Sequence, residues 1–142
     1  MSQKRAIVSL TTAKEFSDFV SQHKYVVVKA TADWCGPCKR IKPLCIQQIQ
    51  LLPIEVAVVI VDISKPNRLK SFLKIGSIPY MMNMIDGAPM DVVNTSEYNA
   101  IVNFFAKTAP IPRIAYLSQL RLIPVLYEKF SLMILSRCSK LR

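Results

Sequence analysis

The feature that most restricts the fold is a pair of cysteines, Cys35 and Cys38, at the junction of a strand pattern and a helix pattern. The run Tyr25 to Ala30 before them contains three consecutive valines, which is typical of a strand buried on both faces of a sheet. From Lys39 to Leu52, apolar residues recur at spacings of three and four, which predicts a long helix. A strand that leads directly into a helix indicates an α/β fold.

Local signals place the other elements along the chain. Thr12 to Glu15 and Asn94 to Glu97 both match the capping pattern that opens a helix, Asp86-Gly87 favours a tight hairpin, and Pro43 is expected to kink the long helix. We therefore predict a mixed sheet with helices on both faces. The further expected elements are strands at Arg5 to Leu10, Ile54 to Ile63, Tyr80 to Ile85 and Pro89 to Val93, and helices at Ala13 to His23, Lys65 to Lys74 and from Asn94 to the region of Phe105.

Composition narrows the class of protein. The chain has 142 residues, of which 51% are hydrophobic and 20% are charged, so it is too apolar to be disordered and is long enough for one hydrophobic core. No apolar run approaches the roughly 20 residues that span a bilayer. The start of the chain, residues 1–5, lacks the features of a secretory signal, so we expect a cytoplasmic protein in a reducing setting.

The spacing of the two cysteines fits dithiol chemistry. At a helix start, unpaired backbone amides and the helix dipole stabilise a thiolate, which lowers the pKa of Cys35. Cys38 lies one turn further along, where it can resolve a mixed disulfide formed at Cys35. Pro37 fits the first turn because its fixed φ is already helical.

The remaining cysteines and the single histidine do not form a metal site. Cys45 and Cys138 are isolated in the sequence, and His23 has no cysteine or histidine at ligand spacing, so we expect no bound zinc. Cys45 is interpreted as a core residue, because it lies too far along the helix from Cys38 for a disulfide. His23 closes the first predicted helix, and Cys138 is interpreted as inert.

The run Ala32 to Lys39 resembles the active-site signature of the thioredoxin family. Pro43 matches the kink in the active-site helix of that family, Ile78-Pro79 resembles its cis-proline step, and Gly87 matches the glycine of its last hairpin. The resemblance covers about residues 5–108. It implies a thioredoxin-like fold, in which a central mixed sheet is flanked by helices.

The resemblance also implies a function, which is the reduction of disulfides in other proteins. Cys35 is the expected nucleophile and Cys38 the resolving thiol. No metal or bound cofactor is expected, because the dithiol itself carries two electrons. The implied partners are protein disulfides and a reductase such as a thioredoxin reductase. The implied substrate groove is formed by Trp34, Gly36, Pro37, Ile78 and Pro79.

One position departs from the family pattern. Thioredoxins usually hold a buried aspartate six residues before the first cysteine, whereas this chain has Lys29 there. If Lys29 points inward, its charge favours thiolates, so we expect a lower pKa of Cys35 or a more oxidising dithiol than in typical thioredoxins. Alternatively, Lys29 extends its ammonium to solvent and leaves the site unaffected.

The C-terminal part has a different composition from the rest. Pro110 and Pro112 mark a boundary between a domain at residues 1–109 and an apolar, basic extension at 110–142, expected to be helical. Six of the ten net positive charges lie in residues 107–142, so the charge does not indicate a specific nucleic-acid partner. Residues 113–142 are expected to dock against protein or to contact an anionic membrane surface. This extension also supports the alternative function, a non-catalytic interaction module with the same fold.

Overall fold

The computed structural model describes residues 4–108, and these form strands and helices in the order that the sequence predicts. Parallel and antiparallel neighbours both occur, and helices cover both faces of the sheet, so the predicted thioredoxin-like α/β fold with a mixed sheet is confirmed. The elements are β1 (Ile7–Ser9), α1 (Ala13–Gln22), β2 (Tyr25–Thr31), α2 (Gly36–Leu51), β3 (Val56–Asp62), α3 (Leu69–Phe72), β4 (Tyr80–Ile85), β5 (Ala88–Val93) and α4 (Tyr98–Ala106).

The sheet has the strand order β1-β3-β2-β4-β5. β1, β3 and β2 are parallel, whereas β4 pairs antiparallel with β2 and β5 pairs antiparallel with β4. The two valine-rich strands, β2 and β3, lie inside the sheet and bury both of their faces, as their continuous β-branched runs indicate. A short loop, residues 32–35, connects the central strand β2 to the start of α2.

Two helix pairs cover the sheet. α1 and α3 pack against the face that carries Val26, Val28 and Ala30, where they contribute Phe16 and Leu69 to the core. Alternate residues of β2 point to opposite faces, so Val27 and Lys29 lie on the face covered by α2 and α4. This places Lys29 beneath the helix that begins at the two cysteines.

The two predicted capping patterns behave differently. Thr12 caps α1, with its hydroxyl accepting a hydrogen bond from the Glu15 amide at 3.3 Å and donating to the Glu15 carboxylate at 2.9 Å. The prediction of a capping box at Asn94 to Glu97 is wrong, because α4 begins at Tyr98 and Glu97 makes no side-chain cap. The Asn94 side chain instead bonds to residues 77–79.

The last hairpin follows its sequence signal, and the short helix α3 does not. Asp86 and Gly87 both have positive φ, 50° and 78°, which is typical of the two-residue turn that Asp-Gly favours. The helix predicted at Lys65 to Lys74 is shortened to the four residues of α3. The first turn of the predicted helix does not form. In its place, the Asn67 side chain accepts a hydrogen bond from the Leu69 amide and donates one to the Leu10 carbonyl.

Arg5 joins the first strand to the far end of α2. Its guanidinium donates three hydrogen bonds of 2.6–2.7 Å to the carbonyls of Leu52, Pro53 and Val56. These carbonyls belong to the C-cap of α2, the turn after it and the first residue of β3, so the cation also lies at the negative end of the helix dipole. Nothing in the local sequence predicts this contact.

Replacing Arg5 by alanine is expected to lower the free energy of unfolding by about 2–3 kcal/mol, since hydrogen bonds to a charged group are among the stronger ones. Urea denaturation followed by circular dichroism measures the change. Lys4→Ala is the matched control, because Lys4 is the exposed neighbour of Arg5 and has the same charge. Equal stability losses in the two variants would contradict the anchoring role of Arg5.

Several predictions lie outside the described residues. These are the extension at residues 110–142, the contacts expected of residues 113–142, and Cys138. Within residues 4–108, none of the helices has both the length and the apolar character needed to cross a bilayer.

Candidate active site

Cys35 and Cys38 lie at the N-terminus of α2 and are joined by a disulfide, with their Cα atoms 5.3 Å apart. Cys35 is the N-cap residue of the helix, and its Sγ accepts a hydrogen bond from the Cys38 amide at 3.2 Å. Pro37 lies in the first turn. The first sulfur therefore sits where a helix presents unpaired N–H groups and stabilises negative charge.

Both cysteine residues are nearly covered in this disulfide form. Cys35 is 4% exposed and Cys38 is 3% exposed, and the two pack in one apolar cluster with Ala32, Ile63 and Ile78. Of the predicted groove residues, Trp34 and Gly36 are exposed, whereas Ile78 and Pro37 are half-buried and Pro79 is buried. The structure thus brings Ile78 against the dithiol and leaves the indole of Trp34 beside it on the surface.

The loop before Cys35 is fixed to the end of β3. The Asp33 amide donates to the Ser64 hydroxyl at 2.6 Å, and the Ile63 amide donates to the Thr31 carbonyl at 2.9 Å. Ser64 also donates its own amide to the Asp62 carboxylate, and its amide and hydroxyl together lower the pKa of Asp62. Sequence reasoning missed Ser64, because a serine after a strand carries no signal for a partner 31 residues away.

The segment facing the dithiol contains the Ile78–Pro79 peptide bond, which is cis. Asn94 bonds to the carbonyls on both sides of Ile78, at Ser77 and at Pro79. Sequence reasoning missed this role as well, since it interpreted Asn94 as part of a helix cap. Pro43 lies inside α2, five residues after Cys38, as the sequence places it.

Comparison with known proteins connects this geometry to a family. The thioredoxin family model matches residues 7–107, which span the whole sheet, the dithiol and the Ile78–Pro79 step. This chain belongs to the thioredoxin family. The family consists of dithiol–disulfide oxidoreductases, and the chain has the cysteine pair on which that activity depends.

Individual thioredoxins and related proteins show the same similarity. The chain is 30% identical to a protein disulfide isomerase-like 1-4 of Oryza sativa over 70% of its own length, and 30% identical to thioredoxin-2 of Pyricularia oryzae over 63%. It covers only 18% and 52% of those two relatives. The solved thioredoxin of Plasmodium falciparum aligns with a TM-score of 0.62 and 26% identity, covering 71% of this chain and 98% of that one.

This thioredoxin-family chain has a buried lysine beneath its active-site helix. Lys29 is 8% exposed, and among the described residues no fully buried side-chain nitrogen lacks a hydrogen-bond partner. Burial lowers the pKa of Lys29, the nearby Cys45 thiol raises it, and the charge of Lys42 lowers it. Cys45 and Lys42 both belong to α2, so Lys29 reaches that helix.

Cys45 lies next to Lys29 and is a core residue. It is fully buried, and its Sγ is 3.9 Å from the sulfur of Met81, which is the ladder partner of Lys29 in β4. Burial raises the pKa of the Cys45 thiol, while the charge of Lys29 lowers it. The position of Cys45 fits its predicted role in the core. The sequence did not predict that Cys45 lies close to Lys29, because this contact depends on how α2 crosses β2.

Proposed function

We propose that this chain is a reductase of protein disulfides of the thioredoxin type, with Cys35 as the nucleophile and Cys38 as the resolving thiol. The supporting observation is the cap geometry, in which the Cys35 sulfur receives the Cys38 amide at 3.2 Å. A thiolate at this position is stabilised by the helix N-terminus and remains nucleophilic at neutral pH.

The reaction has two exchange steps. In the reduced chain, the Cys35 thiolate attacks one sulfur of the target disulfide, which forms a mixed disulfide and releases the other target sulfur as a thiolate. Cys38 then loses its proton and attacks the Cys35 sulfur, which releases the second target thiolate. Two electrons pass to the target, which becomes a dithiol on protonation, and Cys35 and Cys38 become a disulfide.

The substrate groove is proposed to combine two segments, residues 34–37 and residues 78–79. Ile78 packs in the cluster of the dithiol, and the indole of Trp34 is 69% exposed, so an apolar surface surrounds the sulfurs. A polypeptide in extended form can pair with free backbone groups at such an edge. Because Cys35 and Cys38 are nearly covered, a substrate reaches their sulfurs best when its own surface fits around Trp34 and Ile78.

The implied partners follow from the same chemistry. Protein disulfides are the substrates, and a reductase such as a thioredoxin reductase returns electrons to the Cys35–Cys38 disulfide. The dithiol carries both electrons, so the chain is proposed to need no cofactor or metal. Operation in the reducing direction fits a cytoplasmic location.

We also propose that Lys29 adjusts the dithiol. Lys29 is buried next to α2, whose buried residues Cys38, Ile41 and Cys45 follow one another along the side that faces the sheet. Positive charge at this depth favours thiolates and hence the reduced form of the pair. The burial of Lys29 supports the inward interpretation over an ammonium fully extended into water.

The test is the reduction of insulin disulfides by dithiothreitol, followed as turbidity, with the wild-type chain and with Cys35→Ser. The wild-type chain is expected to accelerate precipitation, and the serine variant to leave the rate at that of dithiothreitol alone. Activity that persists in the variant, or that is absent from both proteins, contradicts a reductase and favours a non-catalytic interaction module.

A further inference from the structure

One side chain holds the segment that faces the dithiol. Asn94 follows the last residue of β5, and its Nδ2 donates to the Ser77 carbonyl at 3.0 Å and to the Pro79 carbonyl at 2.7 Å. Its Oδ1 accepts from the Ser77 hydroxyl at 2.7 Å. Both amide donors and the amide acceptor are therefore used on a single segment of three residues.

The two backbone carbonyls fix which way the amide points. Carbonyl oxygens only accept, so the NH₂ group of Asn94 is directed at them and Oδ1 is left to accept from the Ser77 hydroxyl. A side-chain amide rotated by half a turn would set its oxygen against those carbonyls and lose both bonds. The arrangement thus specifies one orientation of Asn94 and one position of residues 77–79.

Ile78 lies between the two carbonyls that Asn94 holds. Its side chain packs against the Cys35–Cys38 cluster, and its own N–H and C=O make no hydrogen bond within the part of the chain that the structure describes. Those two groups are the ones available to the backbone of an extended polypeptide. Asn94 is itself exposed, so its bonds position this segment more than they stabilise the core.

We propose that Asn94 is a positioning residue that holds the backbone of Ile78 where a polypeptide substrate binds, so that it sets the affinity for polypeptide disulfides. The proposal rests on the reductase function proposed above. The proposed role affects the binding of the substrate and not the disulfide exchange itself, because Asn94 acts only through its hydrogen bonds to residues 77–79.

The main variant is Asn94→Ala, which removes all three bonds. We expect KM for insulin to rise about tenfold, the scale of a few lost hydrogen bonds, with a much smaller change in kcat. The ratio of the rate with insulin to the rate with a small disulfide such as hydroxyethyl disulfide is expected to fall by a similar factor. A general loss of structure would lower both rates together and would appear in thermal unfolding.

Two further variants test the orientation of the amide. Asn94→Asp keeps the size of the side chain but sets a carboxylate against two carbonyls, so we expect a higher KM than for Asn94→Ala. Ser77→Ala removes only the bond to the amide oxygen, leaves the two bonds to the carbonyls and is expected to raise KM less. Thr95→Ala is the matched control, because the Thr95 hydroxyl accepts from the Glu97 amide, and KM is expected to stay at the wild-type value.

A second measurement does not depend on activity. Backbone ¹⁵N relaxation at Ser77 and Ile78 is expected to report larger motions in Asn94→Ala and not in Thr95→Ala, because only the first variant frees the carbonyls of residues 77 and 79. If wild type reduces no insulin, the proposed function fails, and unchanged ¹⁵N relaxation at residues 77 and 78 separately overturns the positioning role. With an active wild type, an unchanged KM in Asn94→Ala, or an Asn94→Asp variant that behaves as wild type, overturns the inference.

Discussion

Replacing Cys38 by serine is expected to convert the chain from a catalyst into a trap for its substrates. Cys35 keeps its cap position and still attacks a target disulfide, but no second thiol remains one turn away to release the product. Multiple turnover is expected to fall by about 10³-fold or more, since one of the two exchange steps is removed. The first step still consumes one equivalent of substrate.

The measurement is a turnover assay combined with non-reducing electrophoresis after incubation with oxidised protein substrates. Complexes that disappear on addition of dithiothreitol are expected for Cys38→Ser and not for the double variant that also carries Cys35→Ser. Cys45→Ala is the matched single-cysteine control and is expected to retain turnover, because Cys45 is buried away from the disulfide. Equal trapping by the double variant would show that Cys35 is not the attacking residue.

Replacing Lys29 by methionine is expected to make the dithiol more reducing and to raise the pKa of Cys35. Lys29 lies close to Lys42 and Cys45, which follow Cys38 by four and seven residues on α2 and therefore lie about 6–10 Å from it along the helix axis. At an effective dielectric constant near 20, such a charge shifts the thiol–disulfide equilibrium with glutathione by about tenfold. Titration of the thiolate absorbance and equilibration with glutathione measure the two effects.

Lys42→Met is the matched control for this prediction. It removes one positive charge from α2, close to Lys29, but the Lys42 side chain is exposed, so solvent screens its effect and the shift is expected to be smaller. An unchanged equilibrium in Lys29→Met, or equal shifts in the two variants, would contradict a special role of the buried cation.

Lys29→Met has a second expected effect, on the free energy of unfolding. Burial lowers the pKa of Lys29 in the folded chain below its unfolded value, so the unfolded chain binds more protons between those two values. The free energy of unfolding of wild type therefore rises with pH across that window, and the burial penalty is fully present below the folded pKa. Lys29→Met is expected to be more stable at neutral pH by on the order of 1 kcal/mol. Its advantage should narrow as the pH approaches about 10.4.

Local sequence patterns were sufficient for the order of the elements and for the position of the dithiol, but not for the bounds of α3 or the cap of α4. Val26 to Val28 indicated a buried strand because β-branched runs suit a sheet covered on both faces, and Asp86-Gly87 indicated the hairpin because both residues accept positive φ. The placement of Cys35 at a helix start followed from the change between strand and helix periodicity.

The contacts that shape the site were beyond those patterns. Asn94 matches a helix cap as well as it matches a distant partner, and only the packing of β5 beside residues 77–79 decides between them. Arg5 bonds to carbonyls about 50 residues away. Such partners depend on topology, because a polar side chain carries the same donors whichever backbone it meets.

The small exposed fraction of Cys35 and Cys38 affects how they react with small thiols, which are abundant in reducing compartments. Because the Cys35 residue is only 4% exposed, glutathione finds little surface to hold it beside the sulfur, so we expect it to exchange more slowly than a fitted protein and still to reach equilibrium with time. A protein that matches the surface around Trp34 and Ile78 stays in place long enough to react. The fit between the two protein surfaces is therefore expected to favour protein partners over small thiols, even where the small thiol is far more concentrated.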